Sequence, residues 1–251
     1  MKTIGTLLTT VKLCCVSAAV VGITTMTATG APPTLSDALN SSNSFLTCAA
    51  MGVNKADLSS AGSNQFFILE PGFCLVLEGK EHGRATLLTI TVLKETKMVD
   101  GVETRVVEER ETANGKLTEI SRNYFAISRK TADVYYFGES VDIYEDGQVV
   151  EHEGAWLSGV KGAKFGLAMP GTPLLGARYY QELVPTVAMD RAEVVSMTET
   201  LETKAGQFEK CLKTEESSPL EQTKEYKLYA PGVGLIQDGN LKLVKYGRMA
   251  Q

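Results

Sequence analysis

Three dipeptides constrain this chain more than any other feature: Asp100-Gly101, Asn114-Gly115 and Asp146-Gly147, each set between runs rich in Val, Ile, Thr and aromatic residues. A two-residue type I′ turn needs positive φ at both central positions, and Asn-Gly or Asp-Gly meets that need at the lowest steric cost. Tight antiparallel hairpins are therefore expected at all three. In residues 84–94, Leu88, Ile90 and Val92 share one face of a strand while Leu87, Thr89, Thr91 and Leu93 share the other. So little charge on either face predicts cover on both sides, or a cavity on one. Leu88, Ile90 and Val92 are the most consistent inward set, with Thr, Lys and Glu expected to point outward.

Further strands are expected near 102–110, 116–126, 134–137, 148–152, 177–183, 191–203, 211–217, 222–229 and 241–246, and residues 157–176, rich in Gly and Pro, form a long loop. No long segment has helical periodicity. The fold class is all-β: a single antiparallel rolled sheet or half-barrel of about nine to eleven strands. At 251 residues and 43% hydrophobic, the chain can bury a substantial core in one domain.

The N-terminal region has a different texture. Lys2 and Lys12 precede an apolar run of 11 residues, 13–23, and small residues follow at Ala28 and Gly30. That is the form of a secretory signal cleaved between Gly30 and Ala31. The run falls well short of the roughly 20 residues a bilayer-spanning helix requires, so no stable transmembrane anchor is expected. Lys12 within the triplet before Cys14 argues against lipidation. The division is 1–30 signal peptide, 31–63 an irregular Ser-, Asn- and Pro-containing arm with a helical turn at 35–39, and 64–251 the β domain. A secreted or periplasmic location follows. Of Cys48, Cys74 and Cys211, the pair Cys48 and Cys74 is closest in sequence and could bridge in an oxidising space.

Several stretches together resemble a family of uncharacterised secreted bacterial proteins. They are Asn64-Gln-Phe-Phe-Ile-Leu-Glu-Pro-Gly72, Val99-Asp-Gly-Val-Glu-Thr-Arg-Val-Val-Glu-Glu-Arg110, Tyr136-Phe-Gly-Glu139 and Tyr229-Ala-Pro-Gly-Val-Gly-Leu235. Gln65 and Ile68 stand where the family has prolines, and Leu75 and Leu77 where it has Trp and Tyr. Members resemble the curved half-barrels of periplasmic lipoprotein carriers, which implies a concave apolar face and no particular activity.

The formal charge of −5 gives no footprint for nucleic acid. No nucleophile elbow, zinc-protease helix, phosphate loop or paired-cysteine motif is present. Neither a cofactor nor a catalytic residue is assigned. The densest polar stretch, 139–156, holds His152 and the only tryptophan, Trp156. As a calcium loop it would use Asp142, Asp146 and Glu153, but Tyr144 occupies a ligand position and the flanks are strand-like. On a strand, the Glu151 and Glu153 side chains leave His152 for the opposite face, against a catalytic dyad. Trp156 and Tyr135 are candidates for ligand contact or rim packing, and His152, Leu88, Ile90 and Val92 complete the binding set.

The expected function is a secreted or periplasmic non-enzymatic binding or structural module. The alternatives are a carrier of an apolar or acyl small molecule in a half-barrel cavity, and a hydrolase using carboxylates of 139–153. N-terminal sequencing of the exported protein should return Ala31 as the first residue, and an intact Met1 would refute the signal assignment.

Overall fold

The computed structural model describes residues 45–220 and 223–248. The signal segment and the 35–39 turn lie outside these residues. A helical turn α1 (Cys48–Met51), capped by the Thr47 hydroxyl at 3.2 Å from the Ala50 N–H, opens the described chain. Short strands β1 (Leu58–Ser59), β2 (Gly62–Asn64) and β3 (Phe67–Leu69) follow. Then comes a long meander of β4 (Phe73–Glu81), β5 (Arg84–Val99), β6 (Val102–Ala113), β7 (Lys116–Ser128) and β8 (Val134–Glu145). The middle of the chain holds β9 (Gln148–Glu151), β10 (Trp156–Leu157), β11 (Lys164–Met169), β12 (Arg178–Tyr180) and β13 (Glu182–Leu183). The last strands are β14 (Arg191–Thr203), β15 (Gly206–Ser217), β16 (Lys224–Ala230), β17 (Gly234–Asp238) and β18 (Leu241–Arg248).

The hairpin turns have the expected geometry. Asp100, Asn114 and Asp146 have φ of 50°, 50° and 48°, and the glycine after each has φ of 77° to 80°. His82 and Gly83 make a fourth turn of the same kind, at 49° and 77°. These turns fix the register through β8, and most of the chain joins one antiparallel sheet in the order β12-β14-β15-β16-β17-β18-β4-β5-β6-β7-β8-β11-β13. The path starts at β12 and ends at β13, which are separated in the chain by Gln181 alone. One continuous stretch thus pairs with β14 on one side and β11 on the other, and the sheet comes back on itself as a nearly closed barrel.

Four expectations need correction. The sheet has sixteen strands, thirteen along its continuous path, rather than nine to eleven, because two- and three-residue strands such as β1, β10, β12 and β13 leave no periodic trace in sequence. The supposed loop at 157–176 contains β11, whose Gly166 lies so close to the Tyr180 and Gln181 carbonyls that a Cβ would overlap them. Its glycine therefore serves a close backbone approach rather than a turn. Residues 45–63 form α1, a 3₁₀ turn at Lys55–Asp57 and the first strand pairings rather than an irregular arm. Cys48, Cys74 and Cys211 are all buried free thiols, so the Cys48–Cys74 bridge is not formed.

Gly166→Ala should lower stability by more than Gly162→Ala. At Gly162 nothing lies within 4 Å and only its φ of +83° resists a side chain, at a cost of about 1 kcal/mol. At Gly166 the seam itself must separate. Thermal melts of the two variants decide this.

Candidate functional site

Directly paired residues of an antiparallel sheet share a face, so the register identifies what points into the barrel. Leu88 pairs with Glu111, Ile90 with Glu109 and Val92 with Val107. Across the next ladder Glu111 pairs with Glu119, Glu109 with Ser121 and Val107 with Asn123, and Asn123 in turn pairs with Glu139. From the other half of the barrel Lys227 pairs with Thr214 and with Asp238, and Glu216 lies two residues from Thr214 on the same face. Leu88, Ile90 and Val92 thus point inward as expected, but their inward neighbours include a buried set of acids.

Glu109, Glu111, Glu119, Glu139, Glu216 and Asp238 are each at most 4% exposed, and Lys227 is fully enclosed. The Lys227 ammonium lies 3.0 Å from Glu216 and 3.8 Å from Asp238. Glu216 also accepts from Gln181 Nε2 at 3.3 Å and from the Tyr229 hydroxyl at 3.5 Å. On the opposite wall Asn123 Nδ2 donates to Glu109 at 3.0 Å, and the Tyr136 hydroxyl donates to Asn123 Oδ1 at 2.7 Å. One enclosed ammonium cannot neutralise six ionised carboxylates in a low-dielectric interior, so part of the set holds protons. Burial pushes Glu109 well above the usual carboxylate range; Lys227 opposes this, while Asp238, Glu119 and Glu139 add to it. Burial raises Asp238 to about 7 against the pull of Lys227. Glu81 also reaches about 7, from burial and then from the charges of Glu111, Asp238 and Glu225.

Two open clefts flank the 157–164 connection. One, of about 420 Å³, is lined by Thr47, Cys48, Lys55, Asp100, Ser158 and Phe165. There Lys55 pairs with Asp100 at 2.7 Å, Ser158 donates to the same carboxylate at 2.7 Å, and burial pushes the Cys48 thiol up to about 12. A serine that donates to a carboxylate already paired with lysine, beside a thiol that holds its proton, makes no activated nucleophile. The other cleft, of about 530 Å³, lies between β10 and the turn at 184–187. Glu139, Trp156 and Leu157 form its inner end, and Val160 and Val187 its rim, at 50% and 49% exposure. Trp156 pairs in register with Glu139, its ring meets Tyr136 edge-on at 5.2 Å, and among the described residues its indole N–H has no partner.

The other predicted site residues do not converge. Tyr135 is buried, with its hydroxyl on Asp133 at 3.2 Å and its ring against Phe165. Exposed His152 places Nδ1 3.0 Å from Asp142 and 2.8 Å from the Val141 carbonyl, a cross-strand pairing that its flanking glutamates gave no hint of. Asp142 also faces Arg122 at 3.6 Å, Asp146 sits at a hairpin tip with Lys116, and Glu153 is exposed, so the three residues of the calcium-like loop have separate partners and directions. Among the described residues no group of three or more His, Cys, Asp or Glu is placed to hold a metal. Glu139 is buried and points inward, whereas the remaining carboxylates of 139–153 are half-buried or exposed. The apolar sector of Ile90 and Val92 encloses only about 30 Å³, room for a water or two and far too little for an acyl chain.

No protein-family model matches the chain, and no curated protein matches it significantly. A solved structure, that of a candidate lipoprotein from Parabacteroides distasonis ATCC 8503, aligns over 74% of this chain and 100% of its own at 12% identity, with a TM-score of 0.37. No helix among the described residues is long and apolar enough to cross a membrane.

Because Glu81 and Asp238 hold protons in the fold to about 7 and release them in the unfolded chain near 4, the stability they contribute is complete below pH 4 and is lost as the pH rises through about 7. Thermal melts should therefore show a lower midpoint at pH 8 than at pH 5. Lys227→Met removes the enclosed cation that faces Glu216 and Asp238, and should cost about 3–5 kcal/mol at pH 8. Its cost should be smaller at pH 5, where more of the acids are neutral.

Proposed function

We propose that the chain is an exported, non-catalytic binding module that seats a small, largely apolar ligand in the cleft at the barrel end. The observation that carries this reading is the 530 Å³ opening itself, which is large enough for a small organic molecule. Leu157, Val160, Pro185 and Val187 give it apolar walls, and Ser140 and Lys161 give it polar points that could orient a ligand. Exposed valines on a cleft rim are what a ligand would cover, and Trp156 offers it an aromatic edge. Export is supported by the signal-like residues 1–30. An acyl or other apolar cargo fits this opening better than the filled interior behind Ile90.

Because Trp156 is the only tryptophan, its emission at a fixed pH reports on the inner end of this cleft. Native protein should carry a small molecule detectable by mass spectrometry, and adding it back to stripped protein should shift the emission saturably. Val187→Lys, on the rim, should weaken that binding about tenfold or more by placing a charge against an apolar ligand. A stripped protein whose emission answers to no small molecule recovered with it refutes the reading.

A further inference from the structure

The cleft and the enclosed acid array share a residue. Glu139 lines the inner end of the cleft and is also a member of the buried set. Two routes join Trp156 to Glu109. One runs from Trp156 to its register partner Glu139, whose charge acts directly on Glu109. The second runs from the Trp156 ring to Tyr136 at 5.2 Å, from the Tyr136 hydroxyl to Asn123 at 2.7 Å, and from Asn123 Nδ2 to Glu109 at 3.0 Å. Each link of the second route is a packed ring or a directional hydrogen bond among residues that are at most 6% exposed.

We infer that the cleft is proton-gated: gain or loss of protons by the enclosed acids resets Glu139, Asn123 and Tyr136, and through them the Trp156 ring at the inner end of the ligand seat. The gate regulates the seat proposed above, but its test needs no ligand.

The charged groups around Glu109 determine the direction of the effect. Glu111 lies two residues away on β6; Glu119 on β7, Glu139 on β8, Lys227 on β16 and Asp238 on β17 act on Glu109, and Glu216 on β15 and Glu225 on β16 act in turn on Asp238. Glu81 of β4 and Arg84 of β5 lie beyond Glu111 and Asp238. Acids outnumber bases among these groups, so each proton lost adds repulsion that Lys227 and Arg84 oppose. Ionisation should draw Asn123 Nδ2 harder onto Glu109 and drive Glu139 away from it, toward the cleft. Protonation should do the opposite, letting the acids share hydrogen bonds and settling the floor under Trp156. A ligand that prefers one setting of the floor would then bind with a pH-dependent affinity, and by reciprocity would change the proton occupancy of the barrel.

The test is the emission of Trp156 in the ligand-free, full-length protein between pH 5 and pH 8.5, with far-UV circular dichroism recorded alongside. The expected result is a reversible emission transition under constant circular dichroism, with Glu139→Gln and Glu109→Gln each moving its midpoint by about one pH unit or abolishing it. If either variant fails to fold, Tyr136→Phe, which lacks the hydroxyl bound to Asn123, takes its place and should blunt the transition. Flat wild-type emission across this range overturns the gate, as does a transition that none of the folded variants moves. The two proposals fail separately: a stripped protein that answers to no ligand removes the seat and leaves a titrating Trp156 standing, whereas a flat titration in a ligand-binding protein removes only the gate.

Discussion

The structure depends on a crossing three residues wide. Tyr180 is hydrogen-bonded into the ladder with β14, Glu182 into the ladder with β11, and Gln181 between them donates its backbone N–H to Asp190 at 2.8 Å. Leu46 braces the crossing from the N-terminal side, exchanging backbone hydrogen bonds of 2.9 Å with Arg178 and Tyr180. The Glu182 carboxylate secures the far side by accepting from the Asp190 N–H at 2.7 Å. An open sheet of this length would present two edges, each a row of unpaired backbone groups. Here both edges are occupied by consecutive parts of one strand, and the bare Cα of Gly166 leaves room for it.

Closure accounts for the interior chemistry. A curved sheet with one face open to solvent could hydrate Glu109 and Glu139, and they would behave as ordinary surface acids. Once the seam is shut, the same side chains lose water on all sides and have one lysine among them. Buried ionic groups of this kind add little to stability on balance, since desolvation offsets most of the attraction. What they supply is a fixed set of directional contacts, in which Asn123 and Gln181 each tie a carboxylate to a different wall of the barrel. The layer of Leu88, Ile90 and Val92 lies alongside, so apolar packing and the acid network occupy adjoining sectors of one enclosed space.

The hairpins and the inward direction of Leu88, Ile90 and Val92 were legible because Asp-Gly and Asn-Gly turns are local and fix register over many residues. The seam was not legible: strands of two and three residues have no measurable period, and their partners lie far away in sequence. The acids were hidden for a different reason. Glu109 and Glu111 alternate with Glu108 and Arg110, and a run with charge at every position reads as a solvated strand whichever face it presents. Trp156 stood out by being unique, but the turn at 184–187 that makes a cleft of its surroundings is some thirty residues away and carries no motif. His152 illustrates the limit of neighbour arguments, since its carboxylate partner Asp142 comes from the adjoining strand rather than from either flank.

The pairing of β4 with β18 joins Phe73 to Arg248, near opposite ends of the described chain. No barrel can form around a nascent polypeptide until that last strand has left the ribosome, because β4 has only one neighbour until then. The meander from β4 to β8 can assemble early from its local turns, but it waits with one flank exposed for more than a hundred residues of further synthesis. Folding should therefore be slow for a domain of this size, with the rate set by the search for long-range strand partners rather than by turn formation. A chain with this topology therefore spends its synthesis as an open sheet, with the unpaired edge of β4 exposed until the final partner arrives.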